Sequence, residues 1–524
     1  MIALTVGDLY DRCVEYYGDR TALTYKDQSY TYREMGYRAN CLVTALDGLG
    51  LKKGDRVGFL MANCPEYVFC EYAVAKVGAT RVPLAVLLNP DDHIYMLNLV
   101  ECTTLIYHEK MAERIKGMIP ELKTVKNFIC VASDPASIME GHLHMQTLMN
   151  VNEPSAFSVD IDPEDLAGIY FTGGTTGKPK GVMLSHRSWI YTILIEMLEF
   201  DFGREEVFAY MTPLTHAGGC LLLPVLLRNG RCVIMDHFDP TEFLKTVEQE
   251  GVTVTFLVPT MIYVLLDHPD LQKYNLESLN NVIYGASAIA PERLKQAIQS
   301  FGPIFTQLFG QTEAPMAFSV LSREDHIIAD PVREKEVFAS AGRPTFHCEV
   351  RLVDDDGNDV KPGEPGEIVT RCANMMSGYY KNPEATADTI KDGWLYTGDI
   401  ATKDDQGFIY IVDRKKDMII SGGFNIYPRE IEDVLFEHPA VKDTAVIGIP
   451  HEKWGEEVKA IVVLREADVV TAEELIGFVK AKKGSLMAPK SIDFWDAIPL
   501  TNLGKIDKKT IRSTFWEGKD RQIS

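Results

Sequence analysis

At 524 residues the chain exceeds what one hydrophobic core organises, since cores stop growing near about 250–300 residues; roughly three or four folded units are expected. Hydrophobic residues at 46% and charged residues at 24% are ordinary for a globular protein, and exclude a mostly disordered chain, a collagen-like repeat and a membrane bundle. With 53 Lys and Arg against 75 Asp and Glu, a formal charge of −22 repels nucleic acid and anionic lipid, so any bound phosphate needs a local pocket.

In chain order, the first thirty residues carry Asp8, Asp11, Arg12 and Glu15, and no secretory signal is expected. From about 20 to 320, short apolar runs alternate with amphipathic stretches. Residues 104–108, 166–171, 252–258 and 282–284 read as buried strands, and 242–250 and 291–300 as helices. This alternation predicts an α/β architecture with a large N-terminal domain of doubly wound, mainly parallel sheets. The longest apolar run, 220–227, contains Pro224 and is too short to span a bilayer.

Between about 330 and 412, Gly and Pro punctuate strand-like pieces at 349–353, 366–369 and 407–412, predicting a small β-rich, barrel-like unit within an N-terminal domain of 1–412. The charged run 413–417 reads as a linker. Residues 418–524 suit a small, mobile α+β domain, with helices at 430–437 and 472–482 and strands at 444–448 and 458–463. The ten cysteines contain no CxxC pair, which predicts neither zinc framework nor disulfide scaffold and fits a cytoplasmic protein.

The most informative stretch is Thr172, Gly173, Gly174, Thr175, Thr176, Gly177, Lys178, Pro179, Lys180 and Gly181, directly after an apolar strand. Glycines let backbone N–H groups approach phosphate oxygens, threonine hydroxyls add donors or a metal ligand, and lysines add charge. It is not a Walker A loop, because Pro179 stands where Ser or Thr should bind magnesium.

The stretch resembles the phosphate loop of the adenylate-forming superfamily of acyl-CoA synthetases, adenylation domains and luciferases, with Gly173 where many members have serine. The resemblance runs over nearly the whole chain. His216 matches the gate of the acyl pocket, with Ala217 and Gly218 beside it. Gly285, Ala286 and Ser287 resemble the adenine-side loop. Phe309, Gly310, Gln311, Thr312 and Glu313 resemble the motif that stacks on adenine and supplies a magnesium-binding glutamate. Asp399 in Tyr396-Thr-Gly-Asp matches the ribose-binding aspartate; Asp413 and Arg414 resemble the ribose and phosphate contact, and Lys416 falls at the hinge position. Ser421, Gly422, Gly423 and Phe424 look like the loop beside the pantetheine channel, and Lys505 matches the catalytic lysine.

The resemblance implies an AMP-forming carboxylate–CoA ligase of the acyl-CoA ligase branch, using ATP, Mg²⁺ and coenzyme A. Lys505, Glu313, Thr176 and His216 take the catalytic roles, and Glu313 with Thr175 or Thr176 holds the metal. The acyl pocket is expected among His216, Ala217, Gly218, Tyr284 and Gly285. These loops carry no arginine, which favours a medium or long fatty acid or an aromatic or alicyclic monocarboxylate. One departure is Met487, where members often carry a basic residue for the CoA phosphates; Trp454 offers an aromatic face for the CoA adenine. A loader of carrier-protein phosphopantetheine, a luciferase-like oxygenase and a non-catalytic nucleotide-binding homologue are the rival readings. Neither nucleic acid nor a membrane span is expected, and monomer and homodimer both stay open, as does the direction of the reaction.

Overall fold

The computed structural model describes residues 4–151, 153–172, 178–422, 424–451, 453–466, 469–500 and 506–516. The chain divides into two compact units, one of residues 1–349 with 371–395 and the other of 350–370 with 396–524.

The first unit contains two large sheets. In spatial order the nine-stranded sheet runs Arg343–Pro344, Ala314–Leu321, Phe305–Gln311, Asn281–Tyr284, Val254–Leu257, Val207–Tyr210, Arg231–Ile234, Thr21–Tyr25 and Gln28–Thr31. The eight-stranded sheet runs Gly378–Tyr379, Lys180–Ser185, Leu166–Thr172, Thr80–Pro83, Arg56–Leu60, Thr104–His108, Asn127–Val131 and Leu143–His144. Inner pairs of both are parallel, whereas Phe305–Gln311 with Ala314–Leu321 and Leu166–Thr172 with Lys180–Ser185 are antiparallel. Inner strands such as Val254–Leu257 and Asn281–Tyr284 are buried at every position, which explains why they read as continuous apolar runs rather than alternating ones.

Sequence cues set the helix boundaries. The helix expected at 242–250 begins at Pro240, because Asp239 caps it by accepting from the Glu242 amide and proline suits the first turn. It stops at Gly251, which takes the left-handed conformation at φ 62°. The helix expected at 472–482 continues to Met487, with Gly484 at φ 81° kinking it.

A buried ion pair fixes the strand that leads into the glycine-rich stretch. Arg81 and Glu71 are only 9% and 7% exposed and pair directly. Arg81 Nε donates to the Tyr170 hydroxyl at 3.1 Å, and the Tyr10 hydroxyl donates to Glu71 at 3.2 Å. Arg81 and Gly168 are also register partners, so charge and ladder together seat Leu166–Thr172.

Strands Cys348–Val353, Gly366–Cys372, Ile390–Lys391, Trp394–Lys403 and Ile409–Arg414 form a five-stranded sheet in the β-rich segment. Within the second unit, a further five-stranded sheet runs Phe424–Ile426, Ile419–Ser421, Gly455–Leu464 and Val441–His451, with Ser491–Phe494 pairing parallel to Gly455–Leu464. Its core packs Ile419, Ile431, Leu435, Val458 and Leu475. All ten cysteines are free, and among the described residues no helix is long and apolar enough to cross a membrane.

Removing one member of a buried ion pair typically costs about 3–5 kcal/mol, because the other charge is left unpaired. Arg81→Met is therefore expected to lower the melting midpoint clearly, and Glu71→Met/Arg81→Met to recover much of the loss. An unchanged midpoint in the single variant would remove the pair from this account.

Candidate active site

The glycine-rich stretch is flanked by a strand hairpin. Thr172 and Lys180 are cross-strand partners closing the hairpin of Leu166–Thr172 and Lys180–Ser185. Gly173, Gly174, Thr175, Thr176 and Gly177 lie outside the described residues.

One tyrosine joins this hairpin to the acidic motif. Gly378–Tyr379 pairs with Lys180–Ser185, setting Tyr379 opposite Val182. The Lys180 ammonium lies 4.3 Å from the centroid of the Tyr379 ring, a cation–π distance. The Tyr379 hydroxyl donates to Glu313 Oε1 at 2.7 Å, and the Met376 amide donates to the Glu313 carbonyl at 2.8 Å. Burial, and then the Glu313 carboxylate, hold the phenol well above its ordinary pKa, so it stays a donor.

Glu313 sits in the turn between Phe305–Gln311 and Ala314–Leu321, where the register shifts between Phe309 and Gln311. Gly310 is required there, since a Cβ would collide with the Met316 carbonyl. Gln311, Thr312 and Glu313 are partly exposed, and the Phe309 ring meets Phe318 edge-on at 4.8 Å. The neighbouring parallel strand Asn281–Tyr284 delivers Gly285, Ala286 and Ser287 beside this motif. A Cβ on Gly285 would lie 2.7 Å from the Leu308 carbonyl, while Ala286 takes φ 66° and both Ala286 and Ser287 are exposed. Both loops leave the carboxyl ends of adjacent parallel strands, where α/β folds place ligands.

The expected acyl-pocket residues divide. His216 is exposed, immediately before the short helix Ala217–Cys220, and Ala217 is partly exposed. Gly218 is buried, and a Cβ there would press on Thr212 Oγ1 at 2.6 Å. Its smallness thus serves chain packing. The expectation that Tyr284 lines the pocket needs correction for its side chain. The ring is wholly buried, edge-to-face with Phe305 and His326, and the hydroxyl hydrogen-bonds His326 Nε2 at 3.0 Å.

In the second unit Asp399 is 2% exposed, follows Gly398 at φ 71°, and pairs across the strands with Arg414, whose Nε is 2.6 Å from Oδ1. Asp413, by contrast, spends both oxygens on backbone amides, those of Arg414 at 2.7 Å and Arg429 at 2.9 Å. Its carboxylate therefore ties the linker to the helix Pro428–Phe436 rather than facing a ligand. Lys416 lies in a turn closed by Asp417 N–H on the Arg414 carbonyl at 2.9 Å; burial lowers its pKa, while Asp417 pulls the other way.

Ser421 is buried and opposite Gly455, and Gly422, at φ 59°, donates its amide to the Trp454 carbonyl at 2.8 Å. Phe424 is exposed, and Trp454 stacks on His451 at 4.3 Å. Lys490 Nζ lies 5.9 Å from the Trp454 ring, so basic charge stands beside this surface although Met487 is not basic. Gly423 and Lys505 lie outside the described residues. The flanks of Lys505 are fixed, since Leu500 bridges Ile506 and the Asp507 amide donates to the Pro499 carbonyl at 2.8 Å.

Tyr379, Lys490 and the Arg81–Glu71 pair escaped the sequence reading. Tyr379 sits in Ser377-Gly-Tyr-Tyr, where only a glycine before two aromatics stands out. Among the described residues no cluster of three His, Cys, Asp or Glu stands together. A magnesium ion suits one or two carboxylates plus substrate phosphates and water, and Glu313 supplies such a carboxylate with one oxygen already oriented.

A family model described as AMP-binding enzyme matches residues 10–380, and one described as AMP-binding enzyme C-terminal domain matches 430–505. The chain is 39% identical to the medium/long-chain-fatty-acid–CoA ligase FadD8 of Mycobacterium tuberculosis, over 99% of this chain and 91% of that one. It is 36% identical to a feruloyl-CoA synthase of Amycolatopsis sp, over 94% and 96%. Its fold is similar to that of the amide bond synthetase McbA from Marinactinospora thermotolerans, with a TM-score of 0.87, 29% identity and coverage of 97% and 99%.

Tyr379→Phe keeps the ring under Lys180 and removes the donor to Glu313. Loss of such an outer partner costs about 10- to 100-fold in metal affinity or activity. Calorimetric titration of ATP at varied Mg²⁺ is expected to show a raised Mg²⁺ requirement; an unchanged one would deny Tyr379 this role.

Proposed function

The chain belongs to the AMP-binding enzyme family, and we propose that it is an ATP-dependent carboxylate–CoA ligase releasing AMP and pyrophosphate. The observation that carries this reading is the Lys180–Tyr379–Glu313 arrangement at the mouth of the phosphate loop. A carboxylate does not acylate a thiol at neutral pH, because its oxygen leaves poorly. In the first half-reaction a carboxylate oxygen bonds to the α-phosphorus of ATP and the bond to pyrophosphate breaks. In the second, the CoA sulfur bonds to the acyl carbon and AMP leaves with the bonding pair.

Two anions must meet in the first step, so charge neutralisation and alignment dominate. Thr172 to Lys180 cradle the β- and γ-phosphates, and Lys505 neutralises the carboxylate and α-phosphate as charge develops. Gly285 to Ser287 and Phe309 to Thr312 flank adenine; Asp399, oriented by Arg414, accepts from the ribose hydroxyls. Glu313, with Thr175 or Thr176, would hold Mg²⁺, which supplies Lewis-acid stabilisation of the phosphate oxygens. For the second step, residues 418–524 swing about Lys416 in segment 413–417, a hinge inside the second compact unit rather than at its border. Ser421, Gly422, Gly423 and Phe424 then border the pantetheine arm, and Trp454, with Lys490 beside it, faces the CoA nucleotide.

The substrate is a fatty or aromatic monocarboxylate entering past His216, Ala217 and Gly218. The names of the relatives, a fatty-acid ligase and a feruloyl-CoA synthase, support this class. An enzyme consuming ATP and CoA suits a cytoplasmic setting. Amine or carrier-protein acceptors are the second reading, favoured by the similarity to an amide bond synthetase.

Exchange of labelled pyrophosphate into ATP, screened over straight-chain, benzoic and hydroxycinnamic acids, is expected to depend on one of these classes. No exchange with any acid would refute the ligase reading, and product forming without free CoA would refute the acceptor. Lys505→Ala is expected to lower exchange by about 100-fold or more, while supplied acyl-adenylate still reacts with CoA. Lys416→Pro is expected to spare exchange and impair thioester formation, as measured in single turnover; equal losses would contradict the hinge.

A further inference from the structure

The short helix Lys508–Ser513 begins three residues beyond Lys505 and is tied to the proposed hinge by charge. Lys508 Nζ lies 2.8 Å from Glu432 Oε1, with the two side chains 14% and 11% exposed. The same Glu432 oxygen accepts the Val446 amide at 2.7 Å, so this carboxylate is itself fixed between the helix Pro428–Phe436 and the strand Val441–His451. Arg512 pairs with Asp417, again with both groups largely buried. Burial works against the Lys508 ammonium, but Glu432, Asp413 and Asp417 outweigh it and hold its pKa above the ordinary value. One short helix thus answers Asp417 at the end of segment 413–417 and Glu432 on the helix that follows it.

We propose that Lys508 and Arg512 are positioning residues for the adenylation step, fixing the helix that follows Lys505 to Glu432 and, in the hinge segment, to Asp417. This rests on the ligase reading above. Docking alone does not explain the charges. Ile511 is wholly buried, and Trp516 Nε1 donates to the Gly448 carbonyl at 2.9 Å, so the helix already has apolar and polar anchors. Buried ion pairs add little net stability over apolar residues of similar volume, and their best-attested use is to fix register. Register matters here because Leu500 and Ile506 bracket the lysine loop, and a shift of the helix after Ile506 moves that bracket. Misplacement of a reacting group by about 1 Å costs on the order of 100-fold in rate.

The two half-reactions of the full-length enzyme test this. Lys508→Met and Arg512→Met are each expected to lower kcat for pyrophosphate exchange by about 10- to 100-fold with KM for ATP within about twofold. Thioester formation from supplied acyl-adenylate should stay within about threefold of wild type, and Lys508→Arg should restore most of the exchange. Glu432→Gln removes the partner of Lys508 without touching the helix, and carries the same criteria if a methionine variant fails to fold. Asp417→Asn, inside the proposed hinge, is read by exchange alone, which should fall by about 10- to 100-fold. Equal loss in both half-reactions, a rise in KM alone, or no loss would overturn the proposal. Wild-type protein lacking exchange altogether would instead overturn the ligase reading, and this inference with it.

Discussion

The first unit's candidate site depends on one phenol. Tyr379 touches Lys180 through its ring and Glu313 through its hydroxyl, so the ammonium proposed for phosphate and the carboxylate proposed for the metal share one rigid support. An ammonium and a carboxylate placed near each other in a polyanion site would otherwise pair and cancel. Here the aromatic ring satisfies the lysine by its face, and the hydroxyl occupies one carboxylate oxygen. Both groups thereby keep charge for a ligand. Burial and the neighbouring carboxylate raise the Tyr379 pKa, so the phenol stays a donor.

The sheets explain how such distant residues come together within the first unit. Tyr379 is a short edge strand beside Lys180–Ser185, and Glu313 is the turn of an antiparallel pair at the margin of the other sheet. The parallel interiors supply rigidity and bring loops out at strand ends, while the antiparallel margins carry the tight turns. Arg81 and Glu71 anchor the strand before the glycine-rich stretch. The second unit repeats this logic around segment 413–417, where Asp413 binds two backbone amides and Lys508 and Arg512 meet buried carboxylates.

Much of this was legible in the sequence. Buried parallel strands announce themselves as short apolar runs, and the helix read at 242–250 is present, although Asp239 and Pro240 start it two residues earlier. Glycine-rich turns were readable because Gly285 and Gly310 admit backbone where a side chain would collide. Tyr379 was not legible: its partners are 66 and 199 residues away in sequence, and a tyrosine that packs looks like one that positions a glutamate. Tyr284 misled for the converse reason. Adjacent strand residues point to opposite faces, so the residue before a loop glycine can turn its ring wholly into the core. Asp413 likewise shares its charge with its neighbours in the linker, and only coordinates separate a ligand contact from a backbone tie.

The central claim is that Glu313, held by Tyr379, receives the metal that accompanies the triphosphate. Anomalous diffraction from crystals grown with ATP and Mn²⁺ in place of Mg²⁺ tests it most directly. The account predicts a manganese peak about 2.0–2.2 Å from a Glu313 oxygen, with Lys180 beside the phosphates. A metal bound to the phosphates with Glu313 turned away from it would contradict the account.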